Sequence, residues 1–242
     1  MHDVEIIQLI EIPISELDKV VNVIKWAFEE LNIPSDDVII YITDDHNRVR
    51  EFLGLEKVTH EEWPVKYIDT EGQVAISIIP NKLLQLKEND ARIMVLREIA
   101  LIRVMSDPPE LISMWVIPQG MSDNIVHRVS LAMLRRTIDF VIAKSQSLIQ
   151  YLINTFDKNE LKNVLVTCQL AIDCAITALA LDVPLSIELA GNVGLGKSLW
   201  NDVMRGLSND FIRRYDDFRD FVRNNFNVES AYNYLLMMFG KS

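Results

Sequence analysis

The chain has 242 residues, of which 49% are hydrophobic and 24% are charged. These proportions are typical of a folded globular protein and exclude an intrinsically disordered one. The net charge of −11 repels a phosphate backbone, so we expect no nucleic-acid partner. The N-terminus lacks a basic segment followed by an apolar run, so we also expect no signal peptide.

The first hundred residues alternate between short apolar runs and amphipathic stretches. Strands are predicted at 4–12, Val38–Ile42, 65–69 and 73–79, the last two forming a hairpin. Helices are predicted at 15–31, 47–53 and 89–106. The first of these helices begins at Ser15, where Ser15-Glu16-Leu17-Asp18 resembles a capping box, and Asn32 ends it.

From residue 107 onward the pattern is almost entirely helical. We predict one long or one broken helix at 122–156, helices at 160–181, 198–207, 209–226 and 230–239, and a brief extended piece at 114–117. Residues 164–181 are apolar, but Asp173 at their centre would be costly in lipid, so we expect a buried helix and no membrane span. The sequence predicts one cytoplasmic α+β domain, with a small mixed β-sheet and helices in residues 1–106 and a mostly α-helical half in residues 107–242.

Two cysteines occur, Cys168 and Cys174, and no C-x-x-C motif is present. Six residues apart on one predicted helix, they would lie on different faces. We interpret them as small buried hydrophobic residues in a reducing compartment rather than as a redox or metal site.

Residues 191–198 match the phosphate-loop pattern G-x-x-x-x-G-K-[ST]. In such a loop the glycine-rich backbone (Gly191, Gly196) wraps a phosphate, Lys197 reaches the terminal phosphates and Ser198 binds Mg²⁺. The motif must follow a buried strand, whereas residues 184–190 are only weakly strand-like and helices follow. The alternative is a glycine-rich turn between two helices.

Two acidic clusters contain histidine, Asp44-Asp45-His46 and His60-Glu61-Glu62. Adjacent side chains rarely converge on one ion without distant partners, so we interpret both clusters as solvated loop charge. His127 has no recognisable partner in the sequence. The sequence therefore predicts no metal site and no cofactor, and it offers no nucleophile for an unrecognised hydrolase.

The predicted helix at 89–106 carries the motif Val95-Leu96-Arg97-Glu98-Ile99-Ala100-Leu101-Ile102. This motif and the order of elements resemble the zincin metallopeptidases of the compact gluzincin type. In that family a small mixed sheet precedes a helix with H-E-x-x-H, whose two histidines hold zinc and whose glutamate activates water. The resemblance puts Arg97 and Leu101 at the positions of the two histidines and Glu98 at the position of the general base.

A second segment, Arg135-Arg136-Thr137-Ile138-Asp139-Phe140, is similar to the E-G-x-A-D-aromatic segment that carries the third zinc ligand in this family. Arg135 stands at the glutamate position and Asp139 at the aspartate position. Arg97 has no lone pair to donate and Leu101 has no ligand atom. The resemblance thus implies a zincin-like fold that has lost its zinc site and its catalysis. We expect such a protein to act by binding an unknown protein partner or by assembly, including assembly into a homo-oligomer.

Two readings compete with this one. The helix at 89–106 is simply a core helix, or the protein binds nucleotides through residues 191–198. Whether the helix at 89–106 is a zincin relic or a plain core helix, Arg97 and Leu101 share one of its faces. If that face is buried, Arg97 needs a carboxylate, either Glu98 or Asp139. The apolar stripe of Phe211, Tyr215, Phe218 and Val222 packs either internally or against a second subunit.

Overall fold

The computed structural model describes residues 4–34, 38–58, 63–70, 72–106, 123–168, 171–207 and 209–240. The chain divides into two compact units, Met1–Ser106 and Asp107–Ser242. The fold is α+β, as predicted. The first unit contains a small mixed sheet with helices, and the described elements of the second unit are helices.

The first unit alternates strands and helices up to its long final helix. Its elements are β1 (Glu5–Gln8), α1 (Ile14–Leu31), β2 (Val38–Ile42), α2 (His46–Phe52), β3 (Val65–Thr70), β4 (Gln73–Ile78), α3 (Pro80–Leu84) and α4 (Glu88–Ser106). The sequence did not predict α3, in which Pro80 opens a helix as well as ending the strand, because proline fits the first helical turn. The predicted capping box at Ser15 is also wrong. Pro13 occupies the N-cap of α1, so Ser15 lies inside the first turn.

The sheet has the strand order β1-β2-β4-β3. Strands β1, β2 and β4 run parallel, and the edge strand β3 is antiparallel to β4. Ile40 pairs with Ile76, which also pairs with Tyr67, so these three side chains share one face of the sheet. The opposite face carries Ile39, Ala75 and Ile68, which pack in one cluster with Val49 of α2.

Helix α4 packs against both α1 and the edge strand β3. Its buried residues are Ala91, Ile93, Val95, Leu96, Ile99, Ala100, Ile102 and Val104. Because burial covers most of the circumference of α4, the apolar run that predicted this helix is explained by its packing. Helix α4 therefore holds any side chain it carries in a fixed position relative to β3.

The described part of the second unit consists of helices around one core. They are α5 (Asp123–Ala143), α6 (Ile149–Thr155), α7 (Lys158–Thr167), α8 (Ala171–Leu181), α9 (Val183–Leu189), α10 (Val193–Met204), α11 (Asp210–Asn224) and α12 (Val228–Phe239). The predicted extended piece at 114–117 lies outside the described residues. Among the helices in the described ranges, none combines the length and the hydropathy that a bilayer crossing requires.

Three predictions for the second unit need correction. The helix predicted at 160–181 is two helices, α7 and α8, that pack against each other. The weakly strand-like piece before residue 191 is the helix α9, which Asp182 caps through the N–H of Leu185. Cys168 and Cys174 are joined in a disulfide, because the break between α7 and α8 removes the helical geometry that would have kept them apart. They are half-buried rather than sealed in the core.

The apolar stripe of α11 packs internally. Tyr215, Phe218 and Val222 are fully buried, and half-buried Phe211 stacks on Tyr215 and packs against Phe239 of α12. The core that receives them also contains residues from α5, α7, α8 and α10. This stripe is accounted for by the core of the unit and supplies no argument for a second subunit.

Candidate functional site

Helix α4 places Arg97, Glu98 and Leu101 at half-buried positions beside its buried face. Arg97 and Leu101 are one turn apart and share a side of the helix, as their spacing requires. Neither side chain offers a lone pair to a metal ion. The two positions at which the zincin resemblance puts histidine ligands therefore carry a permanent cation and an alkyl group.

Glu98 is hydrogen-bonded to the sheet. Its Oε2 accepts a hydrogen bond from the backbone N–H of Tyr67 at 2.6 Å. Tyr67 lies in β3, the edge strand, where every second N–H points away from the neighbouring strand. The Glu98 carboxylate thus accepts a hydrogen bond from a backbone N–H of the edge strand that does not donate to a neighbouring strand. This hydrogen bond engages one lone pair of the Glu98 carboxylate with the main chain.

The phenol of Tyr67 has a raised pKa. Burial raises its pKa to about 12, and the charge of Asp69 and a side-chain hydrogen bond with Asp69 act in the same direction. The phenol is therefore neutral at physiological pH.

The second segment of the resemblance lies on α5, in the helical unit. Arg135 is exposed, whereas Asp139 is fully buried. The Asp139 carboxylate is ion-paired with Arg136 at 2.8 Å, and Arg136 also donates to the carbonyl of Ala180 at 2.8 Å. Asp139 thus has a structural partner within its own helix. The expectation that Glu98 or Asp139 also pairs with Arg97 stays a prediction.

Residues 191–198 form the turn between α9 and α10 and the first half of α10. Gly191 follows α9 with φ +96°, a left-handed conformation that favours glycine, and α10 starts at Val193. Gly196, Lys197 and Ser198 therefore lie inside α10, and the N–H of Gly196 donates to the carbonyl of Asn192 at 3.0 Å. In this structure a helix, not a strand, precedes the motif. The glycine-rich backbone of this segment forms a helix rather than a loop around a phosphate.

Gly196 has a packing role. A Cβ atom at this position would overlap Cγ of Glu188 and lie 2.7 Å from the carbonyl oxygen of Pro184. The missing side chain lets α10 approach α9 closely. Lys197 and Ser198, by contrast, are exposed on the outer side of α10. The close contact between α9 and α10 thus accounts for one residue of the motif, Gly196.

A buried ion cluster joins α9, α10 and α11, and the sequence reasoning missed it. We call it the Arg219 cluster; its members are Asp182, Glu188, Trp200, Arg219 and Arg223. Arg219 donates to Asp182 at 2.8 Å and to Glu188 at 2.7 Å, and its guanidinium lies 4.5 Å from the ring centre of Trp200. Arg223 donates to the second oxygen of Glu188 at 3.0 Å.

Charges in the Arg219 cluster balance one another. Burial lowers the pKa of Arg219, but the Asp182 and Glu188 carboxylates outweigh burial and raise it overall. The neighbouring Tyr215 has a pKa well above its usual value, chiefly because of burial and then of the Asp182 charge. The cluster therefore sets two arginines against two carboxylates. This arrangement fixes three helices together.

One sequence signal for this cluster was present. Arg219 follows Tyr215 by one helical turn, on the same apolar face of α11, and a charge on a buried face requires buried partners. The partners could not be identified, because Asp182 and Glu188 are more than thirty residues away in the chain.

The first acidic cluster is only partly the solvated loop that the sequence suggested. Asp44 and Asp45 are exposed, and Asp45 caps α2 by accepting from the N–H of Asn47. His46 is buried, however, and its ring nitrogens lie 2.7 Å from the hydroxyl of Ser77 and 2.6 Å from the carbonyl oxygen of Trp63. The interpretation of His46 as solvated is wrong, since Ser77 of β4 and Trp63, which lies just before β3, provide its partners.

The second acidic cluster, at 60–62, lies outside the described residues, and His127 is exposed on α5. Within the residues that the structure describes, no group of three or more histidine, cysteine, aspartate or glutamate side chains is arranged to hold a metal ion. Comparison of the chain with models of protein families, with curated proteins and with solved structures finds no match.

Proposed function

We propose that this protein is a non-catalytic, zincin-like protein that has lost its zinc site and acts by binding a partner. One observation carries the proposal: Arg97 and Leu101 offer no ligand atom, and Glu98 is bound to the N–H of Tyr67. The small mixed sheet that precedes α4 and the helical unit that follows it support the same proposal. Fold analogy by itself carries no function, so the argument depends on these side chains.

The proposal includes the setting in which the protein works. The partner is a protein or a second copy of this chain, because the net charge of −11 disfavours nucleic acid. The proposed compartment is the cytoplasm. Nucleotide binding at residues 191–198 is not part of the proposal, since α9 occupies the place where the motif requires a strand.

Restoring the missing ligands tests the resemblance. The variant Arg97→His, Leu101→His, Arg135→Glu carries the complete ligand set that the family pattern requires. Two histidines one turn apart bind zinc weakly on any exposed helix, so the matched control is Arg213→His, Asp217→His on α11, whose positions are both exposed.

We expect the restored variant to bind zinc at least about tenfold more tightly than the control, because the family pattern implies that the glutamate at 135 adds a third ligand. Equal zinc affinity of the two variants would remove the zincin part of the proposal.

A further inference from the structure

The disulfide between Cys168 and Cys174 depends on the break between α7 and α8. Cys168 is the residue that ends α7, and Cys174 lies in the first turn of α8. Their Cα atoms are 5.7 Å apart, within the range of natural disulfides. In an unbroken helix, residues six apart are separated by roughly 9 Å along the axis, too far for the bond. The disulfide and a continuous helix over these residues therefore exclude each other.

Helix α7 packs on α8, α10 and α11. Leu161 and Leu165 are fully buried in the core of the unit, and half-buried Val164 packs against the same core. Lys162 adds one hydrogen bond from its Nζ to the carbonyl of Arg205, at the surface. The disulfide adds a covalent bond at the C-terminal end of α7.

Both cysteines are half-buried, so a small thiol reductant reaches the bond without unfolding the unit. We propose that Cys168 and Cys174 form a reversible redox site, at which oxidation locks α7 to α8 and reduction releases α7. This inference is independent of the proposed loss of zinc binding. It also replaces the interpretation of these cysteines as inert core residues.

The chemistry balances with a dithiol as the reductant. One thiolate of the dithiol attacks a sulfur of the disulfide, the S–S bond breaks, and the other cysteine leaves as a thiolate that takes up a proton from water. The second thiol of the reductant then resolves the mixed disulfide. The dithiol loses two electrons and becomes a cyclic disulfide, and the protein gains two thiols.

The consequence is local, because the bond connects neighbouring helices. Without it, α7 separates from the unit more often, because its C-terminal end is no longer tied to α8. Each opening uncovers part of the apolar core that α7 shares with α10 and α11. Reduction thus exposes an apolar surface on the helical unit that oxidation keeps covered.

The experiment measures thiols and hydrogen exchange on the intact wild-type protein. Alkylation followed by mass spectrometry should count no free thiol after equilibration with oxidised glutathione and two after treatment with dithiothreitol without denaturant, because the chain has two cysteines. Amides of residues 158–167 should then exchange roughly tenfold faster or more in the reduced protein, whereas amides of β2 and β4 should not change.

The variant Cys168→Ser, Cys174→Ser serves as the control and should exchange at the fast rate with and without reductant. Two free thiols in the protein equilibrated with oxidised glutathione would overturn the proposal. So would equal exchange of α7 in the oxidised and reduced wild type, or a bond that dithiothreitol cannot reduce in the folded protein. The wild-type measurements decide the matter even if the variant does not fold.

Discussion

Glu98 of α4 accepts a 2.6 Å hydrogen bond from the backbone N–H of Tyr67, and this bond connects the last helix of the first unit to the edge strand of its sheet. An edge strand presents unpaired backbone donors, and a carboxylate is a strong acceptor for them. The residue at the position of a general base thus stabilises the fold. The absence of a catalytic role for Glu98 is part of our proposal, but its structural role is observed.

Removing the Glu98 carboxylate should therefore cost stability. We expect Glu98→Ala to lower the free energy of unfolding by about 1–2 kcal/mol, because a part-buried N–H loses a charged acceptor. Glu98→Gln keeps an acceptor oxygen and should lose less than half as much. Urea denaturation followed by circular dichroism measures both. Equal, negligible losses in the two variants would show that the bond does not contribute.

Tyr67 should titrate abnormally. Its pKa is about 12 in the folded protein and about 10 in an unfolded chain, because burial and Asp69 disfavour the phenolate. A raised pKa means that the contribution of Tyr67 to stability is complete below pH 10 and is lost as the pH rises from 10 to 12. The ultraviolet difference titration between wild type and Tyr67→Phe should show one tyrosine with a midpoint near 12. A midpoint near 10 would contradict this assignment.

The Arg219 cluster should be the most sensitive polar site of the second unit. Arg219→Ala leaves Asp182 and Glu188 buried without their shared cation, so we expect a loss of about 3–5 kcal/mol in the free energy of unfolding. Arg213→Ala on the same helix is the matched control, because the Arg213 side chain is 77% exposed and pairs with Asp210 at the surface. The control should change stability by less than about 0.5 kcal/mol. Chemical denaturation of both variants gives the comparison.

The two glycines of α10 should behave oppositely. Gly196→Ala places a methyl group against Glu188 and Pro184, so it should destabilise the protein by about 1–3 kcal/mol. Gly194→Ala meets no atom within 4 Å and removes glycine's entropic disadvantage in a helix, so it should stabilise by up to about 1 kcal/mol. Thermal denaturation distinguishes the two signs, and a Gly196→Ala variant as stable as the wild type would contradict the packing described for Gly196.

A nucleotide titration separates this packing from phosphate binding. Because Lys197 lies exposed within α10, wild type and Lys197→Ala should bind Mg-ATP equally and negligibly. The measurement is isothermal titration calorimetry at millimolar nucleotide. Saturable binding by the wild type that the substitution removes would restore the phosphate-loop interpretation.

The sequence predicted those elements whose own residues determine them. The bounds of β2 are as predicted and α4 begins one residue earlier, because each is a long apolar run between polar turns. The break between α7 and α8 was missed, since apolar residues continue across it and tertiary packing decides where the helix ends. Helix α9 was missed for a related reason. Six of its seven residues are buried, so no helical period is visible, although Asp182 and Pro184 are typical of a helix start.

Within the candidate site, the sequence could predict only relationships between residues of the same helix. The shared side of Arg97 and Leu101 follows from helical spacing. The bond from Tyr67 to Glu98 could not be predicted, because it depends on how α4 lies against the edge of the sheet. The same holds for His46, whose partners Ser77 and Trp63 come from distant residues, and for the disulfide, which depends on the break before α8.

The zinc content of the purified wild-type protein tests the central claim most directly. Protein prepared in medium supplemented with zinc and freed of loosely bound metal should contain well below one zinc per chain by elemental analysis, because Arg97 and Leu101 provide no ligands. One zinc bound per chain would contradict the proposal that this protein has lost its zinc site.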